Sequence, residues 1–120
     1  MKDLKILIVE DDDSSATLLE MNLMKICKHI DRVSSGSKAV DKIRNHADID
    51  LILMDIKLQE MDGYEATQKI REFNKGVIIL AQTAFALKGD KEKALGAGCN
   101  GYLSKPIKRN ELIKMIKLFI

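Results

Sequence analysis

Residues 8 to 13 read IVEDDD, an apolar run that ends in four consecutive acids, Glu10, Asp11, Asp12 and Asp13. A further acid, Asp55, follows the apolar run LILM at 51–54, Thr83 closes VIILAQT, and Ser104 and Lys105 follow GYL at 101–103. Two carboxylates ~5 Å apart at an effective dielectric of about 20 repel by roughly 3 kcal/mol, so gathering these acids is costly without a cation. An all-oxygen ligand set with room for water and substrate oxygens suits Mg²⁺ or Mn²⁺, whereas zinc favours His or Cys. A carboxylate beside such an ion can act as nucleophile toward a phosphoryl group and form an aspartyl phosphate, and Asp55 is the candidate. Lys105 would then neutralise one phosphoryl oxygen and the Thr83 hydroxyl would hydrogen-bond another, because phosphoryl transfer depends mostly on positioning and charge stabilisation.

For those residues to meet, the elements carrying them must end at one rim. Leu4 to Val9, Leu51 to Met54 and Val77 to Ala81 are short, almost continuous apolar runs, as expected of parallel strands covered on both faces. Weaker strands are predicted over about Ile30 to Ser34 and Gly101 to Leu103. Between the runs the apolar period becomes helical: Ala16, Leu19, Leu23 and Ile26, then Ala39, Val40, Ile43 and Ala47. A third helix is predicted from Asp62, with Glu65 at capping-box spacing and Ala66, Ile70 and Phe73 facing inward, before Gly76. A fourth runs from about Leu87 to Ala97, closed by Gly98, and a fifth carries Leu112, Ile113, Ile116 and Phe119. Strict alternation predicts an α/β fold: a flavodoxin-like, doubly wound five-stranded parallel sheet of order 2-1-3-4-5 with five helices. In that order strand 1 lies beside strand 3, with strand 4 beyond it, so Asp11, Asp55 and Thr83 converge at the carboxyl ends of the strands.

Composition narrows the function. With 120 residues, 46% of them hydrophobic, the chain can bury one core, and one domain over residues 1–120 is expected. Twenty Lys and Arg against 18 Asp and Glu give a net charge of +2, too small to point to nucleic acid or an anionic membrane. The cations Lys105, Lys108, Arg109, Lys114 and Lys117 near the end are spaced as a helix's solvated face, so no nucleic-acid contact is expected. No apolar stretch approaches ~18 residues and no signal-peptide core is present, so membrane insertion is not expected and the protein reads as cytoplasmic. Cys27 and Cys99 form no metal or disulfide pattern and read as small apolar filler, while His29 and His46 read as surface or capping residues at helix ends.

Taken together, IVEDD, LILMDIKLQEMDGYEA, LAQTAFALKGD and LGAGCNGYLSKPI resemble the receiver domain of two-component response regulators across essentially the whole chain. The resemblance implies that Asp55 accepts the phosphoryl group from a phosphohistidine on a sensor histidine kinase or a histidine phosphotransfer protein. It implies metal binding by Glu10, Asp11, Asp55 and the backbone carbonyl of Lys57. It further implies that Thr83 is the switch hydroxyl, Tyr102 the aromatic that follows it, and Lys105 the phosphate-binding lysine, joined to Pro106 by a cis bond. A downstream protein would then dock on the face of helix 4, strand 5 and helix 5, and the lifetime of the phosphoryl group would depend on access around Lys57 and Phe85. Three positions depart from the family pattern: Gln59 stands where proline is usual, Glu10 replaces the commoner Asp, and Lys108 occupies a position often held by a Ser or Thr cap. The segment TAFALKGDKEKALGAG is closest to stand-alone cell-cycle receivers and to receivers fused to hybrid kinases.

Simpler roles exist for each residue. An acid run at a strand-to-helix junction caps the helix, and that reading is retained for Asp12 and Asp13. Thr83 alone would be a strand residue, Tyr102 half-buried core and Lys105 a surface lysine; their placement on successive strand ends sets those roles aside. A Mg²⁺-dependent phosphohydrolase with an aspartyl nucleophile is the competing function, but Lys57 stands where a general acid would be needed and no cap domain is present. An FMN-binding protein of the same fold would need hydroxyls and amides, not acids, after strand 1. The expectation is a switch that catalyses its own phosphorylation and slow dephosphorylation, not a multiple-turnover enzyme.

Overall fold

The computed structural model describes residues 3–83 and 89–120. Among them the elements alternate strictly: β1 (Lys5–Val9), α1 (Asp13–Leu23), β2 (His29–Val33), α2 (Gly36–Asn45), β3 (Leu51–Asp55), α3 (Gly63–Arg71), β4 (Ile78–Thr83), α4 (Asp90–Ala97), β5 (Gly101–Ser104) and α5 (Arg109–Phe119). The strands form one parallel sheet in the order β2-β1-β3-β4-β5, as expected from the sequence.

Side-chain alternation along the strands divides the interior into two cores. Leu7, Val9, Ile52, Met54, Ile79 and Ala81 face one way, against Ala39, Ile43, Ala66, Ile70 and Ala94 of α2, α3 and α4. Ile6, Ile8, Leu51, Leu53, Leu80 and Leu103 face the other, against Leu19 and Leu23 of α1 and Leu112 and Ile116 of α5. Because β1 and β3 are buried on both faces, their sequences have no polar alternation.

Side chains set several of the helix starts. Asp12 accepts from Ser15 N at 2.8 Å, Ser35 from Lys38 N at 3.2 Å, and Asp62 from Glu65 N at 2.9 Å. Lys108 occupies the cap position of α5 without a side-chain cap bond. Gly98 closes α4 with φ of 114°, a left-handed conformation suited to glycine.

Some expectations are corrected. Helix α2 ends at Asn45, with His46 leaving helical geometry, so Ala47 is exposed instead of lying on the helix's apolar face. Helix α3 ends at Arg71, so Phe73 lies beyond it and is 40% exposed, with the Arg44 guanidinium 4.8 Å over its ring. Strand β4 continues two residues past Ala81, which makes Gln82 and Thr83 strand residues. His29 opens β2 and is exposed, so it is not at a helix end. The expected start of the fourth helix at Leu87 falls outside the described residues, as does Phe85.

Candidate metal and phosphoryl-transfer site

The carboxyl ends of β1, β3, β4 and β5 form one rim, and backbone bonds extend the strand pairing past their ends. Glu10 N donates to Val33 O at 3.1 Å, Ile56 N to Gln82 O at 3.0 Å, and Lys105 N to Thr83 O at 2.7 Å. This pairing carries Glu10, Asp55, Thr83 and Lys105 to the same edge. Glu10, Asp55 and Thr83 are almost fully buried, at 1%, 4% and 4% exposure, whereas Asp11 is exposed.

Carboxylate oxygens of Glu10, Asp11 and Asp55 all lie within 4.8 Å of one another. Lys105 enters from the far side of the rim: its Nζ donates to Glu10 Oε1 at 2.7 Å and stands 3.6 Å from Asp55 Oδ2. Asp55 Oδ1 accepts from Lys57 N at 3.2 Å. The Lys105–Pro106 bond is cis, as the resemblance implies.

The electrostatics follow from burial. Removal from water, then a hydrogen bond and Coulomb repulsion from Glu10, push the Asp55 carboxyl up to about 7. Burial also acts to raise Glu10, but its hydrogen bonds with Asp55 and Lys105 and the charge of Lys105 outweigh that, leaving Glu10 below its ordinary range. Below about pH 7 the proton of the pair therefore rests on Asp55, and Glu10 is the charged member. Lys105, although half-buried, is held above its ordinary value by the two carboxylates.

The acid run resolves into separate tasks. Glu10 points into the pocket, Asp11 lies at its mouth, Asp12 caps α1, and Asp13 accepts from Arg32 Nη1 at 2.7 Å. A crowded hard-oxygen cluster with one lysine, and neither His nor Cys among it, fits an oxygen-loving divalent cation.

Tyr102 pairs in register with Ala81 and packs, half-buried, against the α2–α3–α4 core. Ala81 and Thr83, two residues apart, face that same side, so Tyr102 lies diagonally across from Thr83. Two further residues shape the site without a sequence motif to mark them. Gly63 begins α3, and a Cβ there would lie 2.3 Å from Asp55 O. Arg32 of β2 donates through Nε at 3.1 Å and Nη2 at 2.8 Å to the Glu10 carbonyl. The Asp-Gly pair at 62–63 was a usable signal for a tight approach; a lone arginine in a strand was not.

This fold and rim have close relatives. The chain matches the response regulator receiver domain family over residues 6–117, and it belongs to that family, the receivers of two-component signalling. It is 44% identical over 110 residues to the autoinducer 2 sensor kinase/phosphatase LuxQ of Vibrio vulnificus, an alignment covering 91% of this chain and 13% of that protein. It is 37% identical over 117 residues to the polar-differentiation response regulator DivK of Brucella ovis, covering 96% and 94% of the two chains. Among solved structures, the receiver domain of the sensor histidine kinase PA1611 from Pseudomonas aeruginosa, with magnesium in its active-site cleft, is 40% identical, with a TM-score of 0.88 and 98% of each chain covered. The receiver domain of Ssk1 from Saccharomyces cerevisiae, crystallised with the phosphotransfer protein Ypd1, is 35% identical, with a TM-score of 0.89 and coverage of 98% and 88%. No helix among the described residues is long and apolar enough to cross a membrane.

Proposed function

We propose that this receiver takes a phosphoryl group onto Asp55 from a phosphohistidine, with Mg²⁺ held by Glu10, Asp11, Asp55 and the Lys57 backbone carbonyl. The observation that carries this reading is the convergence of three acids and Lys105 around one carboxylate that is almost fully buried. An Asp55 oxygen attacks phosphorus; the O–P bond forms as the P–N bond breaks, and the leaving imidazole nitrogen keeps the electron pair and takes a proton from water. When bound, Mg²⁺ supplies positive charge beside the phosphoryl oxygens.

Lys105 moves from Glu10 toward the transferred group and neutralises one of its oxygens. The Thr83 hydroxyl hydrogen-bonds another, and Tyr102, diagonal to it on the same face, follows into the space this leaves. The surface of α4, β5 and α5 then changes shape and selects a downstream protein, a local charge event that biases a two-state element. The donor is a sensor histidine kinase or a histidine phosphotransfer protein, a pairing supported by a relative named as a sensor kinase/phosphatase and by the phosphotransfer complex of a similar receiver. The domain turns over its own phosphoryl group and not a stream of external substrates.

Incubating the protein with acetyl phosphate and Mg²⁺ tests this. Intact mass should rise by one phosphoryl group in the native chain and stay unchanged in Asp55→Asn; equal labelling of both would reject Asp55 as the acceptor.

A further inference from the structure

Arg32 lies on β2 opposite Ile8 of β1, outside the acid pocket. Its side chain crosses the end of β1 and spends three bonds there. Nε and Nη2 donate to the Glu10 carbonyl at 3.1 and 2.8 Å, and Nη1 donates to Asp13 Oδ1 at 2.7 Å. The Glu10 carbonyl belongs to the peptide plane that joins Glu10 to Asp11, so the guanidinium fixes the plane from which both pocket acids spring. From the other end, the Glu10 amide is held by Val33 O at 3.1 Å. Asp13 is held by the arginine itself and Asp12 by the α1 cap, so neither turns toward the pocket.

We propose that Arg32 is a positioning residue for cation binding: it sets the Glu10–Asp11 peptide so that two adjacent acids present their oxygens to one ion. This rests on the reading of the acid cluster as a divalent-cation site. Sign separates positioning from charge. A guanidinium near the cluster repels a divalent ion, so if charge alone mattered, removing it would tighten binding. If Arg32 acts by fixing the peptide, removing it loosens binding, as outer hydrogen-bond partners of metal ligands do. Lysine retains the charge but not the planar fork, so it should not substitute.

The test is Mg²⁺ titration of the native chain, Arg32→Met, Arg32→Lys and Asp13→Asn, followed through backbone amide shifts at residues 10, 11 and 57, with thermal unfolding in chelator as the folding control. Arg32→Met should weaken Mg²⁺ binding on the order of 10-fold. Arg32→Lys should also weaken it, and it carries the test if the Met variant does not fold. Asp13→Asn, which removes only a largely exposed ion pair, should stay within about twofold of native. Phosphorylation of the Arg32 variants by acetyl phosphate should be slow at low Mg²⁺ and return to the native rate at saturating Mg²⁺. Native or tighter binding in both Arg32 variants, or slow phosphorylation that saturating Mg²⁺ does not restore, would overturn the proposal. A native chain that ignores Mg²⁺ would instead sink the cation-site reading on which it rests.

Discussion

Lys105 Nζ lies 2.7 Å from Glu10 Oε1 and 3.6 Å from Asp55 Oδ2, so a single ammonium serves two buried carboxylates and sits nearer Glu10 than the proposed acceptor Asp55. Asp55 is therefore the less compensated acid of the pair. That imbalance governs how the cation-free protein responds to pH and to substitution.

The first consequence is a pH dependence of stability. An unfolded Asp55 loses its proton near 3.8, but in the folded chain burial and Glu10 hold the proton to about 7. Between those values the folded state binds more protons than the unfolded state, so stability falls as pH rises from about 4 to 7. Glu10, lowered, contributes in the opposite sense, with stability lost only as pH falls below its ordinary range. Thermal unfolding in chelator should show the decline above pH 4. Asp55→Asn should flatten it and be more stable by about 1 to 3 kcal/mol at pH 8, where the native pair is fully charged. An equal slope in both proteins would rule out Asp55 as its source.

Lys105→Met should leave the fold in place and slow phosphorylation by acetyl phosphate on the order of 100-fold even at saturating Mg²⁺, because a cation aimed at developing charge is lost. A rate within about threefold of native would show that Lys105 serves only to offset the acids of the resting state.

Gly63 and Gly96 make opposite expectations. A Cβ on Gly63 would lie 2.3 Å from Asp55 O and 2.8 Å from Ile56 Cα, both backbone atoms that have no room to move. Gly63→Ala should destabilise by about 1–3 kcal/mol and reduce phosphorylation by displacing Asp55, the proposed acceptor. At Gly96, inside α4, a Cβ meets nothing within 4 Å, so Gly96→Ala should stabilise by up to about 1 kcal/mol. Chemical denaturation of the two variants decides it, and a neutral Gly63→Ala would contradict the close approach.

Thr83→Ala should accept a phosphoryl group yet leave the amide signals of Tyr102 and its β5 neighbours close to their unphosphorylated positions. In the native chain those signals should move on phosphorylation. The comparison is made by two-dimensional amide spectra, and identical shifts in both chains would separate Thr83 from Tyr102.

The central strands and the rim were legible in the sequence because β1, β3 and β4 are buried almost throughout and read as apolar runs, with the rim residues at or just beyond the strand ends, whereas the partly exposed β2 and β5 gave weaker signals. Asp55 and Thr83 are the last residues of their strands, and Glu10 and Lys105 directly follow theirs. What escaped depended on non-local geometry. Ala47 and Phe73 continue the helical spacing in sequence, but α2 and α3 end before reaching them, and Phe73 instead takes Arg44 over its ring. Arg32 acquires meaning only when β2 pairs beside β1, and its carbonyl contact leaves no trace in residue spacing. Glu60, in the loop after Asp55, adopts φ of 63°, a conformation its residue type does not advertise.

The most direct measurement is to phosphorylate the native chain with acetyl phosphate and Mg²⁺, reduce it with borohydride, which converts an aspartyl phosphate to homoserine, and map the peptides by mass. Homoserine at position 55, and its loss when Mg²⁺ is chelated, is the expected result. Label on Glu10, Asp11 or a histidine, or label at 55 that is indifferent to chelation, would contradict the account.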